Sequence, residues 1–330
     1  MGILVVQSSG ASVHLAGGRL RVVRPDQPSV SVPLESVDAV MVLGGASATT
    51  PALRALTAGG GRAVFCDAQG RLRFIACGPS PHDPDLLAAQ VRASPELTLG
   101  QAVAIVQARL AGQRALISQH VHHHGACAAT DEALHQIALA DAAAPRAADV
   151  AALRGHEGAA ARAYWAAFAT LRHGDLPFDG RSTRPPLDAM NALLSFGAAL
   201  LIAELTAHTI AAGLSPSFGT LHVAERGRPS LACDLAEPFR APLVESLALR
   251  LCNLRILRCE DFVQVSGGTR LADRARDRFL EERQSLLARR TADSRTGEHT
   301  TWRRLLALEA GRYATAWRDG LAWVPARWSP

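Results

Sequence analysis

Residues 215–245 read SPSFGTLHVAERGRPSLACDLAEPFRAPLVE, and the rest of the chain is organised around this stretch. Gly219-Thr220-Leu221-His222-Val223 reads as a short strand with a histidine inside it. A polar turn, Ala224 to Pro229, follows, and Ser230 is placed to cap a helix. Asp234 and Glu237 sit three residues apart on that helix, so both carboxylates share one face. One imidazole and two carboxylates this close are ligand types for a divalent cation that accepts oxygen and nitrogen donors. The same residues could equally form a surface ion-pair cluster, and spacing alone does not choose.

Outward from this stretch, the chain is alanine- and leucine-rich at helical period. Helices are expected over Leu99–His120, Thr130–Leu139, Ala148–Leu171, Pro186–Gly213, Leu231–Leu254, Leu271–Arg289 and Thr301–Leu321. Pro238 and Pro242 should kink or break the fifth of these. Residues 1–78 have a different character, alternating apolar and polar with frequent turn signals. Strands are expected at Ile3–Val6, Ser12–Leu15, Leu20–Val23, Val30–Pro33, Ala39–Leu43, Ala63–Cys66 and Leu72–Ala76, with one helix at Pro51–Ala58. Residues 79–98 hold four prolines and read as a linker. The expected fold is α+β: a small β-rich domain (1–78), a linker (79–98) and a larger helical domain (99–330), all-α apart from the strand at His222.

The 48% hydrophobic content of the 330 residues is enough for a sizeable core. No apolar run was read as approaching the ~20 residues of a membrane span. The N-terminus lacks the basic start of a signal peptide. Six cysteines without CxxC spacing fit a reducing, cytoplasmic setting. Lysine is absent, so all 35 basic residues are arginine, the better bidentate phosphate ligand. A formal charge of +5 permits a nucleic-acid partner without requiring one.

Three further features carry chemistry. On the helix LRGHEGAAARAYWAAFATL (153–171), Glu157 falls on the apolar stripe with Tyr164 and Phe168. A carboxylate there costs several kcal/mol unless paired or ligating, roughly the penalty of a buried charge. Either a buried arginine pairs with it, or it joins His222 and the 234/237 carboxylates around a cation. Gly155 and Gly158 beside it would let a backbone or ligand approach. Arg181 and Arg184, in a loop before Pro185-Pro186 and a helix start, can hold phosphate oxygens, or simply pack on their neighbours. The tract His120-Val121-His122-His123-His124 ends a helix with no acids nearby and reads as solvated, which argues against a small-substrate metallohydrolase built on it.

Three segments in order then carry a family resemblance. They are G-x-E-G-x-x-A-R-x-Y-W at Gly155–Trp165, R-x-x-R-P-P-x-D-x-x-N-A-L-L-S-F-G at Arg181–Gly197, and G-x-x-H with G-R-P-S-L-A-x-D-L-x-E-P-F-R at Gly219–Arg240. Together the chain resembles the CRISPR-associated spacer-acquisition integrase, the first-numbered and near-universal Cas protein, over essentially its whole length. The resemblance implies metal ligation by Glu157, His222 and Glu237, with Asp234 at a neighbouring acidic position of the catalytic centre. It implies Mg²⁺ or Mn²⁺ as cofactor and metal-dependent cutting and joining of DNA, in which the 3′-hydroxyl of a short foreign duplex attacks a phosphodiester at a CRISPR repeat. It further implies a homodimer, a small ferredoxin-like partner (the second-numbered Cas protein), and DNA contacts by arginines such as Arg181, Arg184 and Arg240. The family often has tyrosine after Ser-Phe-Gly, where this chain has Ala198. The alternative, a DNA-binding scaffold that has lost its chemistry, is opposed by the presence of Glu157, His222 and Glu237 together.

Overall fold

The computed structural model describes residues 2–25, 27–79 and 82–328; residues 1, 26, 80–81 and 329–330 lie outside them. The N-terminal region contains β1 (Gly2–Val6), β2 (Ser12–Ala16), β3 (Arg19–Arg24), β4 (Gln27–Pro33), β5 (Val37–Leu43), β6 (Ser47–Ala48), α1 (Thr50–Ala58), β7 (Arg62–Cys66) and β8 (Leu72–Ala76). They form two four-stranded sheets, ordered β1-β5-β7-β8 and β4-β3-β2-β6. In the first, β1, β5 and β7 run parallel and β8 returns antiparallel to β7. The unforeseen β6 is a two-residue edge strand, parallel to β2.

Strand β5 shows why its sequence is apolar without alternation. Val40 and Val42 pack with Val13, Leu20 and the α1 residues Ala52 and Leu56 in a small core. Met41 and Leu43 belong to the large core shared with the helices. Successive side chains point to opposite faces, and here both faces are covered.

The helical region has α2 (Pro84–Val91), α3 (Pro95–His124), α4 (Ala128–Ala143), α5 (Val150–Thr170), α6 (Ala189–Ala211), α7 (Ser230–Arg240), α8 (Ser246–Asn253), α9 (Asp273–Ala288) and α10 (Trp302–Arg318). The caps are local and strong. Asp149 accepts from the Ala152 amide at 2.8 Å and Asp188 from the Asn191 amide at 2.7 Å. Pro238 and Pro242 produce a π-helical turn, Ala241–Glu245, between α7 and α8 rather than a break.

Four expectations are corrected. The linker contains a helix, because Asp83 caps it and Pro84 takes its first turn, and Leu86 is fully buried. The helical region also carries two hairpins, β9 (Phe262–Val265) with β10 (Gly268–Leu271) and β11 (Arg290–Ala292) with β12 (His299–Thr301), so it is not all-α. Residues 219–223 form an irregular loop, and Ser230 does not cap α7 but lies inside its first turn, its hydroxyl donating to the Val223 carbonyl at 2.9 Å. Helix α6 is long and apolar enough to cross a membrane by composition, which the sequence reading missed; 78% of that window is buried inside the protein, as in a central core helix.

Candidate active site and arginine cleft

Helices α3, α5 and α7 and the 219–223 loop converge on one point. Glu157, on α5, is half-buried at the edge of the bundle, and Glu237, on α7, is 2% exposed. Between them lies Arg109 of α3, whose Nη1 is 2.6 Å from Glu157 Oε1 and 2.9 Å from Glu237 Oε2. Arg240 adds a second cation, its Nε donating to Glu237 Oε1 at 3.0 Å. Of the two explanations for Glu157, the arginine partner is therefore present. A Cβ at Gly155 or Gly158 would meet nothing within 4 Å, so no backbone approaches there and the space beside Glu157 is open.

The loop is held by Asp234. One of its oxygens accepts the Thr220 amide at 2.6 Å and the Leu221 amide at 3.0 Å, and the other accepts the His222 amide at 2.9 Å. Three successive N–H groups satisfied by one carboxylate have none left for a partner strand, which is why the expected strand is absent. Gly219 is required here: a Cβ would lie 2.5 Å from the His222 carbonyl oxygen and 2.8 Å from Asp234 Oδ2. The His222 Nδ1 donates to Asp234 Oδ1 at 2.6 Å, since the carboxylate can only accept. That bond orients the ring and leaves Nε2 on the side of Glu237, whose Oε1 is 4.0 Å away. The two predicted acids of α7 thus separate: Asp234 is consumed in shaping the loop, and Glu237 faces the open site.

The electrostatics follow from burial opposed by close charges. Burial pushes the Glu237 carboxyl up, but Arg240, Arg109 and His222 outweigh it and hold it below the usual carboxylate range. Burial likewise opposes charge on Arg109, yet Glu237, Glu157 and Glu245 hold the guanidinium above its ordinary value. Behind them lies a pair the sequence did not single out: Tyr164 OH donates to Glu245 Oε2 at 2.5 Å. Burial raises the Glu245 pKa, and its bond to Tyr164 and the charges of Arg109 and Arg240 offset this only in part.

Glu157, His222 and Glu237 do not bring one ligand atom each within 4.8 Å of one another; Arg109 stands among them instead. The donor set nevertheless fits a hard divalent ion. Glu237 Oε2 is buried beside Arg109 without an aligned hydrogen-bond donor, and His222 Nε2 lies 4.0 Å from the same carboxylate.

Beyond Arg240 lies a cleft of about 750 Å³ lined by Arg71, Arg181, Arg184, Arg226, Arg228, Arg240, Arg270 and Arg276, with Glu225 as the one acid among its lining residues. Arg240 both lines the cleft and touches Glu237, so it joins the two. The three predicted DNA-contact arginines are all present but unequal. Arg184 is exposed, whereas Arg181 is committed to Asn191 Oδ1 at 2.9 Å and lies over the Trp165 ring at 5.7 Å. Burial and the neighbouring Arg240 push the Arg181 pKa down to about 10. Ala198 lines the same cleft, so the missing tyrosine would have filled part of it.

An acid, imidazole and arginine cluster joined through Arg240 to an arginine-lined cleft has the charge to receive a polyanion. The family model for the CRISPR associated protein Cas1 matches residues 4–285. A CRISPR-associated endonuclease Cas1 of Rhodospirillum rubrum is 38% identical over 263 residues, 76% of this chain and 75% of that protein. Another, of Thermus thermophilus, is 33% identical over 313 residues, 94% of this chain and 92% of that one. The chain belongs to the CRISPR-associated Cas1 family. Solved structures share the fold: a casposase bound to its integration product has a TM-score of 0.82 at 21% identity, covering 99% of this chain and 94% of that one. A Cas1 protein from Thermotoga maritima has a TM-score of 0.77 at 20% identity, covering 98% and 99%.

Proposed function

We propose that the protein is a metal-dependent DNA endonuclease and integrase of CRISPR adaptation, joining the 3′-hydroxyl ends of short foreign duplexes into the repeat by transesterification. One observation carries this reading: Glu157 and Glu237 meet beside the His222 imidazole, and Arg240, which touches Glu237, also lines the arginine cleft. Glu157, His222 and Glu237 are the residues that would hold Mg²⁺ or Mn²⁺. Such an ion, when bound, polarises the scissile phosphate and stabilises charge on the attacking and departing oxygens.

The remaining roles belong to the protein's own side chains. Asp234 positions His222 by holding both its backbone and its Nδ1. Arg109 keeps the two carboxylates together and neutralises their repulsion until substrate and cation arrive. Arg240 and the exposed cleft arginines bind the DNA backbone, and Arg181 braces the wall behind them. A Cas1–Cas2 assembly is known for a protein of this fold, one with a TM-score of 0.83 at 23% identity. We extend to this chain a Cas2-type partner, a homodimeric state and a cytoplasmic setting.

The test is strand joining with the partner subunit, Mn²⁺, a supercoiled repeat-bearing plasmid and short duplexes ending in 3′-hydroxyls. Joined product is expected from wild type and not from His222→Ala. Equal joining by both would remove the site assignment. DNA binding with neither cutting nor joining in wild type would favour a scaffold.

A further inference from the structure

The histidine tract at the end of α3 has a partner that sequence separation concealed. His173, just beyond α5, comes to the same place. His120, His124 and His173 each offer a ligand atom, all within 4.8 Å of one another; among the described residues this is the one such cluster. The His120 ring stacks on those of His124 and His173, with centroids 4.5 and 5.1 Å apart, while His124 and His173 are tilted at 46° with centroids 4.7 Å apart. We propose that these three histidines form a second metal site that takes a borderline divalent ion of the zinc, nickel or copper kind.

Four physical features support it. His120 and His124 are at i and i+4, the spacing that places two imidazoles on one helix face for a shared ion. The third ligand is anchored through its backbone. The His173 amide donates to Asn253 Oδ1 at 2.7 Å, and Asn253 Nδ2 donates to the Leu171 carbonyl at 2.9 Å. The turn that follows is pressed against the end of α8, since a Cβ on Gly174 would lie 2.3 Å from the Cys252 carbonyl oxygen. The half-buried His120 ring stacks on both His124 and His173, so packing holds the ligand in place. The C-terminal end of a 30-residue helix also favours a cation there.

Three imidazoles plus water complete a four-coordinate shell, with bonds of ~2.0–2.1 Å that small rotations of the exposed rings can reach. The all-nitrogen set discriminates against Mg²⁺ and Mn²⁺, which the carboxylate centre suits. On α3, His120 lies eleven residues beyond Arg109, or about 16 Å along the axis at ~1.5 Å per residue. An ion there would tie the end of α3 to the segment that leads into the Arg181 loop.

The test titrates metal-stripped protein with Zn²⁺ by calorimetry in the His222→Ala background, so that the other centre contributes no imidazole. One Zn²⁺ per chain is expected, weakened at least about tenfold by His173→Ala or His124→Ala and unchanged by His122→Ala. All of these positions but His120 are exposed, so the melts of the metal-free variants should coincide. In the His222-intact chain, His173→Ala should leave Mn²⁺-dependent DNA joining unchanged. Absence of Zn²⁺ binding, or equal weakening by His122→Ala, would overturn the site, the latter by reducing it to a generic histidine tract.

Discussion

Two arginines in this protein each bridge a pair of acids, and the bridges end differently. Arg312 of α10 meets Asp293 and, at 2.6 Å, Glu309. The other oxygens of those acids accept the amides of Arg295 and Ala326, both at 3.0 Å. All four carboxylate oxygens are used, and the cluster fastens the C-terminal tail to α10. Arg109 bridges Glu157 and Glu237 in the same way, with its Nη1 2.9 Å from Glu237 Oε2, but the contact is not aligned as a hydrogen bond, and the nearest carboxylate oxygen to His222 Nε2 is 4.0 Å off. A closed cluster is architecture. One held by ion pairing without full hydrogen bonding can exchange its cation for another.

The largest expected contrast comes from removing the central acid of the open cluster. Glu237→Gln should lower DNA cutting and joining by about 10³-fold or more, roughly 4 kcal/mol of transition-state stabilisation. The chain should stay folded, its melt at neutral pH lowered by a few degrees because the charge that Arg109 and Arg240 stabilise is gone. A variant that melts far lower yet keeps its activity per folded molecule would make Glu237 the structural member of an ion pair.

The mirror experiment is Arg312→Ala, which leaves Asp293 and Glu309 buried without their cation. Breaking a mostly buried pair from one side should cost about 3 kcal/mol of stability. Activity per folded molecule should be unchanged, read as a lowered urea midpoint with an unaltered specific rate. If the rate fell while the midpoint held, the distinction between closed and open clusters would be wrong.

A smaller effect should follow from Asp234→Asn, which keeps the volume but alters what can accept from His222. An amide presents one acceptor where the carboxylate presents two, so the Nδ1–H and the three amides compete for it. A loss of ~10–100-fold in Mn²⁺ affinity is expected, the usual scale for an orienting partner. Raising Mn²⁺ should restore much of the rate, whereas Glu237→Gln should not respond.

The N-terminal strands other than β6 were legible because each carries its own period, and β5 even announced its double burial by running apolar through Val40–Leu43, whereas the short hairpins β9–β10 and β11–β12 were not. Glu157 was legible as a charge on an apolar stripe. Arg109 was not: one arginine within AIVQARLAGQRALI looks like any solvent-facing position until α7 packs on it. The loop at His222 was misread because its β-forming residues give their amides to Asp234, a bond that no local pattern encodes. Helix α2 was lost to proline density, although Asp83-Pro84 is itself a start signal. His173 lies about fifty residues from its partners, and only the fold brings them together.

The smallest predicted effect separates the clusters by pH. Glu237 has a folded pKa below its unfolded value, so its stability is complete above roughly pH 4.5 and is lost as pH falls through the folded value. Glu309 has the opposite sign: burial raises its pKa against the pull of Arg312 and the Ala326 amide. Its contribution is present below the unfolded value and is lost as pH rises through the folded one. Urea midpoints followed from acid to neutral pH should therefore respond on different sides. Glu237→Gln should flatten the acid limb, and Glu309→Gln should flatten the decline above it. Each substitution keeps side-chain volume, so the comparison isolates the charge. If both variants flattened the same limb, the two acids would share one electrostatic environment, and the difference between the open and closed clusters would lie in hydrogen bonding alone.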